Sequence, residues 1–372
     1  MADVSTKTIK VFFRADSSVD IGAGHVMRCL TLAAALREGG CAVSFISRDL
    51  PGNIGANVEA AGYRIFRLPA GATPSHEVPF VLDVQADIEQ SAEILRQAGG
   101  ADWLVIDHYG VDATWETALR PLVGHIMVID DVANRSHDCD LLLDQNLYED
   151  METRYDGLVP EQCAKFLGPR YALLRDEFVQ ARRSLRERDG SVKRILITFG
   201  GGDASNETAK ALEAWRMVGR DDVAVDVVVG GANPHREQLK ALCAELPNIS
   251  FHCNVNNMAQ MMSEADLAIG AGGSTTWERC FLGLPSITLI VADNQAATTK
   301  AVAAKGATLN VGWYEDVDAA TLAATITGML DDPKAMQDMT AQGFALMGDA
   351  ASTGAVLLAD ALLGTSYSNA GL

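Results

Sequence analysis

Short apolar runs alternate with amphipathic stretches along the whole chain, and the alternation restarts near its middle. In the first half the runs IKVFFRA (9–15), AVSFIS (42–47), YRIFRL (63–68), WLVID (103–107), HIMVID (125–130) and DLLLDQN (140–146) have the length and composition of strands. Between them HVMRCLTLAAALREGG (25–40) and ADIEQSAEILRQAGG (86–100) have helical patterns. The segment YALLRDEFVQARRSLRERDGSVK (171–193) then turns strongly charged, with a helical look and a Gly-Ser ending. A domain boundary is expected near its end, separating a first domain over 1–185 from a second over 193–345. The second half repeats the scheme with RILITFGG (194–201), VAVDVVVGG (223–231), NISFHCNV (248–255), LAIGAGG (267–273), SITLIV (286–291) and ATLNVG (307–312), interrupted by helical segments such as ETAKALEAWRMVG (207–219). The tail from about 332 to 364 is Ala/Leu/Met-rich and helical, and its last part (346–372) can cross back onto the first domain. Strands alternating with helices predict βαβ units. The expected fold is α/β, two Rossmann-like doubly wound domains in series with a cleft between the carboxyl ends of their strands.

Composition narrows the chemistry. At 372 residues the chain is long enough for two separate cores, and 48% hydrophobic content with only 6% aromatics fits α/β layers. A formal charge of −19 argues against nucleic acid and anionic membranes as partners. It does not argue against a diphosphate, which backbone amides and a few arginines bind locally. The seven cysteines are odd in number, scattered and without a CxxC pair, so neither a zinc site nor a disulfide framework is expected. MADVSTKTIK lacks an apolar signal core and no run approaches the length of a membrane span. A soluble cytoplasmic protein is expected.

The most informative stretch is LAIGAGGSTTWERCFLGLPSITLIVADNQ (267–295): a strand, a glycine-rich turn, a helix opening with Ser274-Thr275-Thr276, a second strand, and a polar Asn294-Gln295 end. Free N–H groups and the positive end of the helix dipole converge at such a turn, which suits phosphate. Glu278 is a poor phosphate contact and a good acceptor for a vicinal diol such as a ribose. Gly270, Gly272 and Gly273 alone would equally make a tight strand–helix turn, and no Walker or dinucleotide fingerprint is present. The Ser/Thr run, Glu278 and Asn294-Gln295 favour a nucleotide site.

A second constellation lies in RADSSVDIGAGHVMRCLTLAAAL (14–36), where a strand ends at Arg14 and a loop with Asp16, Ser17, Ser18 and Asp20 leads to a helix beginning near His25. A helix N-terminus favours neutral imidazole, the form that accepts a proton near pH 7. The loop after a first strand opens on the ligand crevice, which makes His25 a candidate general base rather than a local hydrogen-bonding residue. Tyr109, in VIDHYGVD beside Asp107 and His108, should face the same crevice. His76, His125, His137, His235 and His252 have no partner spacing, and packing or surface roles are expected. Asp130-Asp131 fits a helix cap or strand end, and no metal is expected there. TFGGGDASN (198–206) is another strand–glycine loop–helix start, capped by Asp203 and Asn206, that lines a substrate or merely turns the chain.

In combination FRADSSVDIGAGHVMRCLTLA, DQNLYED, GPRYALLRDEF, ITFGGGDASNETAKAL and GAGGSTTWERCFLGLPSI…ADNQ resemble the nucleotide-sugar hydrolases of the pseudaminic acid pathway and the related spore-coat polysaccharide proteins. The resemblance runs in order from about residue 10 to 310. It implies a glycosyltransferase type B architecture and metal-independent, cofactor-free hydrolysis of a UDP-sugar, in which water displaces UDP at the anomeric carbon with inversion. It implies that His25 is catalytic and that Tyr109, Asn294 and Gln295 contact the sugar. Arg14 and Asp16 count with them as candidate sugar contacts. The turn Gly272, Gly273, Ser274 and Thr275 would hold the diphosphate and Glu278 the ribose. Rival readings are a glycosyltransferase of the same fold and a non-catalytic nucleotide-sugar binding protein. A hydride-transfer enzyme is disfavoured, because IGAGHVMR replaces GxGxxG after the first strand.

Overall fold

The computed structural model describes residues 8–70 and 82–364; His76 lies outside them. The chain forms two units: the first takes in the chain to Asn146, Asp150–Leu173 and the chain from Thr353, the second Leu147–Glu149 and Leu174–Ser352.

The first unit runs β1 (Lys10–Ala15), α1 (Gly24–Glu38), β2 (Ala42–Arg48), α2 (Gly55–Ala60), β3 (Arg64–Leu68), α3 (Val84–Gln97), β4 (Ala101–Asp107), α4 (Ala113–Leu119), β5 (Val123–Ile129), β6 (Leu141–Asp144) and β7 (Ala164–Leu167). All its strands are parallel, in the order β3-β2-β1-β4-β5-β6-β7. The period-two alternation of the strands sorts the core into two layers. Val11, Phe13 and Ala15 pack with Val26, Cys29, Leu32 and Leu36 of α1, whereas Phe12 faces the other way with Leu104, Ile106, Leu95 of α3 and Trp115 of α4. Asp83 and Asp112 start α3 and α4 by accepting from Ala86 N–H (3.1 Å) and Thr114 N–H (2.8 Å). The strand β7 has no counterpart among the sequence expectations. It is a four-residue edge strand, AKFL, with Ala164 and Lys165 exposed, too short and too polar to show a pattern.

The second unit runs α5 (Asp176–Arg183), β8 (Arg194–Thr198), α6 (Glu207–Val218), β9 (Ala224–Val229), α7 (Arg236–Glu245), β10 (Ile249–Cys253), α8 (Met258–Glu264), β11 (Leu267–Ala271), α9 (Thr275–Phe281), β12 (Ser286–Ile290), α10 (Asp293–Ala304), β13 (Leu309–Trp313), α11 (Ala319–Leu330) and α12 (Pro333–Met347). Its parallel sheet has the order β10-β9-β8-β11-β12-β13. Ile195, Ile197, Val225, Val227, Ile269, Ile287 and Leu289 form its core with Trp215 and Ile326.

The charged segment 171–193 is α-helical only over α5, and from Leu174 onward it belongs to the second unit. Arg182 donates to the Phe281 carbonyl, Arg186 to that of Glu264 and to Asp266, and Arg188 to the carbonyls of Ala265, Leu282 and Met262. Its arginines thus satisfy the ends of α8 and α9, so the crossing lies at Leu173–Leu174, ahead of the boundary expected from composition. All seven cysteines are free, and all but Cys253 are buried. Among the described residues no helix is long and apolar enough to cross a membrane.

The last helix, α13 (Gly354–Leu363), belongs to the first unit and places Ala355, Leu358, Ala359 and Leu362 in the α1 layer. Its approach depends on Gly354, where a Cβ would lie 2.3 Å from the Tyr171 carbonyl oxygen. Gly354→Ala should therefore cost about 1–3 kcal/mol through backbone displacement, read as a lower urea midpoint at unchanged slope.

Candidate active site

Each sheet changes winding direction once, between β1 and β4 in the first unit and between β8 and β11 in the second. The loops leaving such neighbouring strands diverge and open a crevice at their carboxyl ends. The residues singled out from the sequence fall on both of these edges.

In the first unit His25 is the second residue of α1 and Asp107 the last of β4. Asp107 shares the parity of Val105 and so points to the α1 layer, where it meets His25 Nδ1 at 2.6 Å. Asp107 also accepts from Arg28 Nε (2.6 Å) and Nη2 (2.7 Å). Burial pushes the Asp107 carboxyl up, but Arg28 and His25 outweigh it and leave the group well below the usual carboxylate range. A permanent carboxylate at Nδ1 keeps the proton on that nitrogen. Nε2, with no partner among the described residues, is left as the open lone pair. The Tyr109 ring stands edge-on to the imidazole, with centroids 4.7 Å apart, and its hydroxyl donates to Asp131 at 2.7 Å. Asp131 is in turn bound by Arg28 at 3.2 Å. A cavity of about 210 Å³ opens here, lined by His25, Asp107, Tyr109, Asp16, His108 and Leu82 among others. A larger groove of about 550 Å³ lies at the opposite, amino ends of β1, β4 and β5, but Lys10 and Asp102 there form no reactive constellation. Arg28 was not expected as a site residue. Its signal in the sequence is the i, i+3 spacing from His25 on one helix face.

Arg14, a candidate sugar contact, is turned into the interior instead of lining this cavity. Strand parity turns it to the α3–α4 layer, where it is fully buried and donates to Asp16 (2.6 and 2.9 Å) and Asp87 (3.1 and 2.6 Å). Asp87 also accepts from Arg48 (2.5 Å) and Trp115 Nε1 (3.0 Å). Burial alone would push Asp16 up; Arg14 and His108 reverse this and hold it well below the carboxylate range. Asp16 accepts from Arg48 N–H (2.7 Å) and binds His108 Nε2 (3.1 Å), while His108 Nδ1 accepts from Gly110 N–H (2.9 Å). His108 is therefore the Nε2–H tautomer, and Asp16 reaches the cavity wall as the end of a buried chain.

Behind Asp131 lies a second carboxyl cluster. Asp144 accepts from Asn146 N–H (2.9 Å) and Arg154 Nη1 (3.2 Å), and the Tyr155 hydroxyl sits 3.1 Å from both Asp144 Oδ2 and Asp130 Oδ2. Burial raises the Asp144 carboxyl to about 7, with Asp131 adding to the rise and Asn146, Arg154 and Tyr155 opposing it. Its folded proton affinity thus exceeds the unfolded value of about 3.9. The stability it contributes is fully present below that value and is lost as the pH climbs through about 7. Asp144→Asn should remove this loss, so urea unfolding between about pH 4 and 8 should show a shallower decline in the variant than in the wild type.

In the second unit Gly272 and Gly273 form the β11–α9 turn, Ser274 precedes α9, and Thr275 begins it. A Cβ at Gly272 would lie 1.9 Å from Thr299 Oγ1 of α10, so that glycine is needed for helix approach. At Gly273 the nearest atom to a Cβ is Gln295 Nε2 at 3.6 Å, which leaves the turn open and brings Gln295 to it. Beyond β12, which stops at Ile290, Asn294 and Gln295 lie in the first turn of α10. Gln295 Oε1 accepts from Val291 N–H at 3.3 Å, and Asn294 is exposed. Glu278 is largely buried, with Arg175 Nη2 3.2 Å from its Oε1. Burial raises its carboxyl and Arg175 opposes the rise. Arg175, from the GPRYALLRDEF motif, had no assigned role.

Other candidates resolve into structure. His137 Nδ1 meets Glu116 at 2.7 Å in the interior and His252 Nε2 meets Asp226 at 2.9 Å, partners remote in sequence. His125 stacks on Trp103, and Asp203 caps α6 through the N–H groups of Glu207 and Thr208. Among the described residues no group of three His, Cys, Asp or Glu side chains is arranged to hold a metal ion.

Similarity to known proteins bears on the fold and the class of protein. Residues 194–353 match the glycosyltransferase family 28 C-terminal domain. The chain is similar to the crystal structure of MurG from Acinetobacter baumannii, with a TM-score of 0.67 and 17% identity over 96% of this chain and 99% of that one. It is similar also to LpCGTa in complex with UDP, with a TM-score of 0.63 and 13% identity over 96% and 99%. Two parallel sheets with flanking helices and these likenesses define a protein of the glycosyltransferase type B architecture. In sequence it is 28% identical over 301 residues to the UDP-2,4-diacetamido-2,4,6-trideoxy-β-L-altropyranose hydrolase of Campylobacter jejuni, covering 80% of this chain and 97% of that protein. It is 27% identical over 312 residues to the spore coat polysaccharide biosynthesis protein SpsG of Bacillus subtilis, covering 83% and 85%. A third relative, the uncharacterized protein MJ1062 of Methanocaldococcus jannaschii, is 26% identical over 76% of this chain, which spans about half of that protein, 55%. Over most of its length the chain is thus similar in sequence to the Campylobacter hydrolase and to SpsG.

Proposed function

We propose that this protein is a nucleotide-sugar hydrolase that releases UDP and free sugar from a UDP-2,4-diacetamido-2,4,6-trideoxyhexose, with inversion at the anomeric carbon. The observation that carries this reading is the His25–Asp107 pair, an imidazole with one nitrogen held by a permanent carboxylate and the other open on a cavity. His25 Nε2 takes a proton from water as the water oxygen bonds to the anomeric carbon. The bond from that carbon to the phosphate oxygen breaks, and UDP leaves with the electron pair. Asp107 stabilises the imidazolium that forms, in the manner of the acid member of a catalytic triad. Tyr109, fixed by Asp131 and edge-on to the base, and Asp16 are suited to hold sugar groups, as are Asn294 and Gln295 in the second unit. The Gly272 N–H is already donated to the Leu289 carbonyl (3.2 Å), so Gly273, Ser274 and Thr275 offer the N–H groups to the diphosphate, whose growing charge they stabilise, and Glu278 accepts from the ribose. The choice of sugar rests on the named Campylobacter relative. No step calls for a metal, so turnover should persist in excess chelator.

The test is UDP release by the purified protein from a panel of UDP-sugars without an acceptor, followed by proton NMR. Rapid release from the diacetamido-trideoxy altrose donor, with an inverted first-formed anomer, is expected. Tight binding without turnover would refute hydrolysis and favour the glycosyltransferase reading. His25→Ala should lower kcat about 10²–10⁴-fold while leaving the Kd for UDP unchanged. Asp107→Asn should also depress kcat at unchanged UDP affinity, because an amide no longer enforces the Nδ1–H tautomer. Full activity in either variant would refute the assignment of the base.

A further inference from the structure

Beneath the glycine turn of the second unit lies a buried charge without a carboxylate partner among the described residues. Arg279, on α9, is 1% exposed. Its Nη2 donates to the Ala271 carbonyl at 2.8 Å and to Thr276 Oγ1 at 3.0 Å. Ala271 ends β11 and Thr276 is the second residue of α9, so the guanidinium spans the base of the Gly272–Ser274 turn from inside. Its Nε and Nη1 are buried with no hydrogen-bond partner among the described residues, as is the Thr299 hydroxyl, which occupies the space a Cβ at Gly272 would fill. Glu278, the adjacent acid, turns to Arg175 instead.

The contrast with other interior arginines is informative. Arg14 faces two carboxylates, and Arg188 is surrounded by backbone carbonyls. An interior guanidinium is stable where anions or dipoles offset its lost hydration. At Arg279 the polypeptide leaves that offset incomplete, although burial lowers the group only to about 10 and it stays charged at neutral pH. We propose that Arg279 is the internal counter-charge for a diphosphate bound at the Gly272–Ser274 turn, acting through the low-dielectric interior without touching the ligand. The proposal rests on the nucleotide reading of that turn and adds the means by which it selects a polyanion. Attraction through the interior is weakly screened, so it persists at salt concentrations that abolish surface pairing.

Calorimetric titration of the full chain with UDP, and with uridine in competition, tests this in the wild type, Arg279→Met and Arg279→Lys. The methionine variant should bind UDP at least about tenfold more weakly, while its uridine affinity stays within about twofold and the lysine variant recovers most of the UDP affinity. Equal losses for UDP and uridine would show a merely structural role and overturn the proposal, as would undiminished UDP binding by the methionine variant. A wild-type readout serves where the methionine variant does not fold. Inorganic pyrophosphate alone should raise the thermal midpoint, because it completes the charge balance, whereas uridine should not. A midpoint raised by UDP but not by pyrophosphate would overturn charge compensation and leave the nucleotide reading intact. Failure of the wild type to bind UDP would sink the nucleotide reading and this proposal with it.

Discussion

Two guanidinium groups and two carboxylates, Arg14, Arg48, Asp16 and Asp87, neutralise one another beneath the carboxyl ends of β1 and β2, and the first unit's site depends on that compensation. Four charges taken out of water are tolerable only as a matched set, supplemented here by hydrogen bonds from Trp115, Ser47 and the Arg48 N–H, although Arg48 Nε has no partner among the described residues. Because the set draws on β1, β2, α3 and the loops after them, removing any member leaves an unpaired charge and frees several elements at once. Asp16 is the point where this chain reaches the cavity, and through His108 it also positions the segment after β4.

The base at His25 is built on that platform but tuned separately. Asp107 ends β4 one residue beyond the level at which Arg14 pairs with Ile106, and strand parity sends it to the opposite face of the sheet. The two buried acid clusters therefore lie on opposite sides of one sheet and do not compete for the same cations. Arg28 serves Asp107 and Asp131 together, which couples the orientation of the base to that of Tyr109.

Much of the fold was legible in the sequence. Parallel strands buried on both faces read as continuous apolar runs, and all the strands expected from such runs are present to within a few residues. The glycine turn at 272–273 and the start of α1 were equally visible, since both depend on local backbone chemistry. What went unread was β7, an edge strand whose short polar segment carries no periodicity, and the assignment of the charged stretch 171–193, whose arginines are defined by the carbonyls they reach.

The sequence by itself determined the βαβ rhythm, two cores and the candidacy of His25, Tyr109 and the 272–278 turn, because period and turn chemistry act over a few residues. Tertiary structure alone decided that Arg14 is a buried brace, that Asp107 and Arg28 complete the base, and that Asn294 and Gln295 open a helix. It also decided that Arg279 is an interior charge with no acid paired to it among the described residues. Each of those facts depends on which face a side chain takes and on partners as far as 103 residues away, as with Arg28 and Asp131. Such long-range pairing leaves no trace in local composition.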